Sequence, residues 1–261
     1  MSALIEPLAA LRRRIARIEG RAVGPANGTA LCALGHAEAD ARLGGGLERA
    51  ALHEVFAKAE ADMAAASGFA LGLSLRAARS GALVWIRQDL SALENGEPFG
   101  AGLLEWGVHP ARVILVAVPR PLDALKAAGE ALACGAVGAV VIEARGEAAA
   151  FDLTASRRLA LAAERAGATA LLLRAGAELV PSAARTRWLV KAAPSIGASR
   201  ELGQPVVEAE LVRSRKGVTG AWLMEWDGDA LSFRQVETAS GAVASAPRHR
   251  QDQARGLRRA G

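Results

Sequence analysis

Two cysteines in 261 residues, Cys32 and Cys134, are too few and too far apart to form a disulfide scaffold or a metal ribbon. They read as free thiols in a reducing compartment, so a cytoplasmic protein is expected. Uncharged runs such as Ala131 to Ile142 stop well short of the ~20 apolar residues a membrane helix needs. The first residues show no apolar stretch ahead of a cleavage site, so secretion is not expected. The four histidines, His36, His53, His109 and His249, show no ligand spacing, and no metal is expected. Lacking too is the Gly-Lys pair of a phosphate-binding loop, although "HEVFAKAEADMAAASGFALGLSL" (53–75) has the strand–loop–helix frame of one.

What is present is apolar bulk. Hydrophobic residues make up 51% of the chain, enough for a sizeable core. The net charge of +5 is unevenly placed. Residues 1–21 carry +3 and residues 248–261 carry +4, which leaves the body slightly acidic. Arginine-rich ends suit nucleic acid or an acidic partner, and equally suit solvated segments.

Residues 3–19 predict a helix whose apolar seam is Leu4, Leu8, Leu11, Ile15 and Ile18, spaced 4-3-4-3. So narrow a seam suits docking onto a partner better than burial in a broad core. "GRAVGPANGTA" (20–30) breaks the helix, and residues 23–42 read as a linker after a docking element at 1–22. "LGGGL" (43–47) reads as a turn opening the main domain, 43–238.

From there strands at 51–56, 82–88, 112–118, 138–144 and 169–174 alternate with helices at about 60–79, 100–107, 121–134 and 152–166. The strands are continuous apolar runs, as expected of a parallel sheet covered on both faces. After residue 180 the runs 185–193, 206–215, 221–227 and 230–235 have no helices between them, and "RKGVTG" and "DGD" are hairpin turns. The expected fold is α/β: a mostly parallel, doubly wound sheet extended by antiparallel C-terminal strands, with a separate N-terminal helix. Trp222 and Trp226 share a strand face and are expected to cap the core; a stacking platform for bases is the alternative. Residues 239–261 are small, polar and basic, the composition of a disordered tail.

In that order, "LGGGL", "VWIRQD", "LACGAVGAVVIEA", "DLTASRRLALAAERAGATALLLR" and "AELVRSRKGVTGAWLMEWD" resemble the core of the RecA fold. More narrowly, "GGGLERAALHEV", "FDLTASRRL", "SAARTRW" and "GAWLMEWD" resemble the ImuA-type proteins, RecA-like members of a bacterial damage-induced mutagenesis cassette. The resemblance implies an SOS-response role in translesion synthesis. The implied partners are a Y-family polymerase homologue, an error-prone replicative-type polymerase and RecA, with self-association as a further option.

The same resemblance sets Ala66 where the phosphate-loop lysine would stand and Ser67 at the hydroxyl position. Asp89 matches the catalytic acid after the second strand, and Glu143 the acid ending the fourth. On its own terms Glu143 reads as a solvent-facing carboxylate at a strand end. Without the lysine, and with Glu60 and Asp62 nearby, the site reads as vestigial, so no nucleotide cofactor and no catalysis are expected. The segments 145–152 and 174–185 are short for DNA-binding loops, which argues against strand exchange.

Partner-binding candidates are the N-terminal seam and Leu257. Candidate contacts to nucleic acid or an acidic partner are Arg12, Arg13, Arg14 and Arg17, then Arg213, Arg215 and Lys216 on a hairpin. The tail adds Arg248, Arg250, Arg255, Arg258 and Arg259. Two rivals to a non-catalytic adaptor remain: a DNA-dependent ATPase of the same fold, and a damage-response inhibitor of cell division.

Overall fold

The computed structural model describes residues 30–78, 81–89, 96–146, 149–195 and 203–236. The expected N-terminal helix and the basic tail lie outside the described residues.

A long sheet organises the chain. Its strands are β3 (Leu52–Ala57), β4 (Ala82–Gln88), β5 (Val113–Val118), β6 (Val137–Arg145), β7 (Thr169–Ala175), β8 (Thr186–Ala193), β9 (Val206–Ser214), β10 (Gly220–Asp227) and β11 (Ser232–Gln235). They lie in the order β11-β10-β9-β8-β3-β7-β6-β4-β5. The pairings from β8 through β3, β7, β6 and β4 to β5 are all parallel, and β9, β10 and β11 add antiparallel. This is the expected α/β architecture, consistent with a RecA-like core.

The apolar strands are buried on both faces because helices cover both. Val84, Ile86, Val140, Ile142 and Leu172 face α4 (Pro121–Ala133) and α5 (Leu153–Ala166). Strand neighbours of opposite parity, Trp85, Val141, Leu171 and Leu173, face α2 (Met63–Ala77). Helix α2 has ten of its fifteen residues buried, so no polar stripe runs along it. Apolar residues all round mark a helix enclosed on most sides. It lies on the sheet, where its Phe69 meets Phe233 of β11, Phe233 meets Trp226 of β10 and Trp226 stacks on Trp106, and Gly72 leaves room for the rings of Phe233 and Trp226. Trp226 is buried and Trp222 packs against the same core, so the pair caps the sheet and the base-stacking alternative loses its platform.

The linker expectation needs correcting for residues 30–42. They form β1 (Leu31–Cys32) and begin α1 (Ala37–Leu43), and β1 pairs with β2 (Leu47–Glu48). Leu34, Ala39 and Leu43 are buried in the α2 core. Helix α1 stops at Gly44, whose φ of 71° is left-handed and whose N–H satisfies the last carbonyls. Asp40 holds the approach by accepting from the N–H groups of Leu34 (2.7 Å) and Gly35 (2.9 Å).

Candidate functional site

In a doubly wound sheet, ligands sit beyond the C-terminal strand ends. Here the β3–α2 corner of that end carries the chain's own paired charges. Only Lys58 and Ala59 separate β3 from a one-turn 3-10 helix, Glu60–Asp62, that runs into α2 (Met63–Ala77). A phosphate loop of the Gly-x-x-x-x-Gly-Lys kind needs several residues of open backbone with free N–H groups. The five residues 58–62 hold no glycine, and three of them are already coiled into the 3-10 turn. Asp62 also consumes donors, accepting from Ala59 N (3.1 Å) and from Ala192 N at the end of β8 (2.9 Å). Glu60 pairs with Arg145 from the end of β6 at 2.5 Å. Ala66 stands in the fourth position of α2, fully buried, where a lysine would have to enter the core. Ser67 is half-buried and lines the neighbouring cleft.

Glu143 does not face solvent as its plain reading suggests. It is 2% exposed, and its carboxylate is engaged on both oxygens. Oε2 accepts from Trp85 Nε1 (2.9 Å) and Arg87 Nε (3.0 Å), and Oε1 accepts from Arg87 Nη2 (3.3 Å). The register decides this, because Arg87 of β4 lies directly beside Glu143 of β6. A bidentate guanidinium thus stands where a metal-associated acid would need an open coordination side. Asp89 follows β4 and is exposed.

Between α2, β4 and a short helix α3 (Gly100–Glu105) lies a cleft of about 450 Å³, lined by Ser67, Gly68, Trp85, Arg87, Phe99 and Trp106 among others. The Arg87–Glu143 pair forms part of its wall. A second hollow of about 510 Å³ lies by the end of β7, lined by Phe151, Arg174, Glu178 and Val180. Arg174 lies 5.6 Å from the Phe151 ring centroid and donates to Gly146 O (2.6 Å). The segment after β7 is tied down, since Arg187 donates to Val180 O (2.6 Å) and Ser182 Oγ (3.1 Å), and Ala183 N donates to Ser156 Oγ (3.0 Å).

Strand β3 carries buried polar groups that sequence reasoning passed over. Glu54 binds Arg187 at 2.7 Å, both almost fully buried. His53 is completely buried, with Nδ1 2.8 Å from Thr186 Oγ1 and Nε2 2.7 Å from Glu48 O. Burial pushes its pKa down to about 4, against the opposing pull of the Glu48 carbonyl. The available signal was "HE" inside one apolar strand and "TR" at the start of another.

The structure brings Arg213, Arg215 and Lys216 together on the β9–β10 hairpin and gives each a backbone acceptor. Arg213 and Arg215 donate to Ala184 O (3.3 Å) and Ala183 O (3.2 Å), and Lys216 Nζ caps α1 at Leu43 O (2.7 Å). All three side chains keep exposed surface. Leu4, Leu8, Leu11, Ile15, Ile18, Leu257 and the arginines of both ends lie outside the described residues. No helix among the described residues is long and apolar enough to cross a membrane.

No family model matches the chain. The protein ImuA of Caulobacter vibrioides, from two strains, is 35% identical to it over 206 residues, spanning 70% of this chain and 77% of the relative. The chain belongs to the ImuA family. Membership ties it to the damage-induced mutagenesis cassette.

Proposed function

We propose that the chain is a non-catalytic RecA-like adaptor in SOS-induced, error-prone translesion synthesis. It joins the Y-family polymerase homologue to the error-prone replicative-type polymerase and engages RecA. The observation that carries this reading is the nucleotide corner: a five-residue, glycine-free β3–α2 connection (58–62), with Asp62, Glu60 and Glu143 each held by groups of the chain itself. A protein that keeps the fold and fills the catalytic corner uses its surfaces instead. Isothermal titration with Mg-ATP tests it. No heat of binding at millimolar nucleotide is expected. Micromolar affinity, or hydrolysis that Glu143→Gln abolishes, overturns the reading in favour of a DNA-dependent ATPase.

A further inference from the structure

We propose that the β9–β10 hairpin and the chain around it bind the phosphate backbone of a DNA duplex without reading its sequence. This end of the sheet lies where the parallel strands begin, away from the nucleotide corner at their C-terminal ends. Register places it there, because Thr186 at the start of β8 pairs with Ser214 at the end of β9. Five cations gather around the hairpin: Arg213, Arg215 and Lys216 on it, Arg42 in the last turn of α1, and Arg185 just before β8. Two carboxylates offset part of this charge. Glu48 pairs with Arg185 at 3.1 Å, and Glu210 lies three residues back from Arg213 along β9. The acids of α1, Glu38 and Asp40, sit in its first turn, where Asp40 is taken up by the N–H groups of Leu34 and Gly35. The hairpin end is therefore net positive.

The cations are held in place. Gly217, at a left-handed φ of 73°, closes the turn with its N–H on Ser214 O (2.9 Å) and sets Arg215 and Lys216 side by side at the tip. Arg42 Nε donates to Thr219 O (3.1 Å), and Arg213, Arg215 and Lys216 donate to the carbonyls of Ala184, Ala183 and Leu43. A guanidinium carries five N–H donors and an ammonium three, so one bond orders each side chain and leaves donors for a phosphate. Side chains ordered beforehand lose less entropy when a ligand arrives.

The surroundings of the charge select the polyanion. A protein interface is built round buried apolar or aromatic anchors. Near the hairpin end the large exposed apolar side chains are Leu31 (36%) and Leu223 (44%), on separate elements; the others stand at α3, β5, α4, α5 and the stretch before β8. Single strands are held by stacking on aromatic rings. Trp222, the aromatic of β10 nearest the hairpin, packs on the α2 core and against Trp188, with 6.1 Å between ring centroids. An ordered cation array with neither anchor nor stacking platform suits a duplex, which offers regularly spaced phosphates and can be held through its backbone alone. This surface goes beyond the adaptor reading and does not involve the nucleotide corner.

The test titrates the full chain against a fluorescein-labelled duplex of about 30 base pairs, read by anisotropy at several KCl concentrations. Log affinity should fall linearly with log salt. Arg213→Gln, Arg215→Gln and Lys216→Gln together should weaken binding at 50 mM KCl at least tenfold. They should also make that line shallower by about 2–3, at about 0.9 per phosphate contact on a duplex. Both proteins keep their arginine-rich ends, so the difference reports the hairpin end. Should the triple variant misfold in a thermal melt, Arg42→Gln, which leaves the hairpin's own cations in place, should reduce the slope by about 1. Absence of binding at 50 mM KCl, or an unchanged slope in the variant, overturns the proposal. So does a single strand of the same sequence that binds more tightly than the duplex. Polyglutamate losing as much affinity as the duplex in the triple variant would assign the surface to an acidic protein, and overturns it equally.

Discussion

Arg87 and Glu143 hold each other 3.0 Å apart, both more than nine-tenths buried. A buried pair contributes little net stability, but removing one partner strands the other charge away from water. Arg87→Met should therefore cost about 3–5 kcal/mol, read from urea midpoints. Adding Glu143→Gln, which keeps an acceptor for the Trp85 indole N–H, should restore most of that loss. His53 sets a pH dependence of definite sign. Its folded pKa, about 4, lies below the ordinary 6.5, so the unfolded chain binds the proton first. Stability is full above pH 6.5 and falls as pH drops toward 4. The gap of about 2.5 pH units at about 1.4 kcal/mol each gives a loss of up to about 3 kcal/mol. Urea melts between pH 7 and 4 should show this slope, and His53→Gln should flatten it. These residues were visible in the sequence as polar letters inside apolar strands. Their partners were not, because Glu54 meets Arg187 and Glu143 meets Arg87 only once strand order and register are set.

Helix α2 shows what an enclosed element demands. Glycine in a helix normally costs ~1 kcal/mol relative to alanine. At Gly72 an added Cβ would lie 2.5 Å from the Phe233 ring and 2.9 Å from the Trp226 ring. Gly72→Ala should thus destabilise by about 1–3 kcal/mol despite its better propensity. Gly129 in α4 has nothing near that position, and Gly129→Ala should raise the melting temperature. Long periodic elements were legible: the second strand is found at 82–88 as read, and the predicted helix at 121–134 is α4, Pro121–Ala133. The small β1–α1–β2 unit was not. Seven helical residues, started by His36 and stopped by three glycines, look like punctuation in a sequence. Its order comes from Leu34 and Leu43 reaching the α2 core, a tertiary contact that no local spacing announces.

At the scale of the molecule, the first and last described segments meet. Phe233 N donates to Leu34 O at 2.9 Å, and Arg76 donates to both Ala33 O (2.8 Å) and Leu231 O (3.2 Å). Ala30 and Val236 lie four and three residues from that junction, so they stand within roughly 30 Å of each other. The stretches that carry the arginine-rich ends thus join the described body at points within that distance of each other. Were both ends to bind one acidic target, the second binding event would be intramolecular, at an effective concentration of about millimolar. Binding to polyglutamate should drop steeply when either residues 1–22 or residues 239–261 are deleted, and little further when both are. Equal stepwise losses would mean that the ends act independently. Avidity of this kind would respond to target length as well as target charge: an acidic chain too short to reach both ends would engage one at a time, however dense its carboxylates.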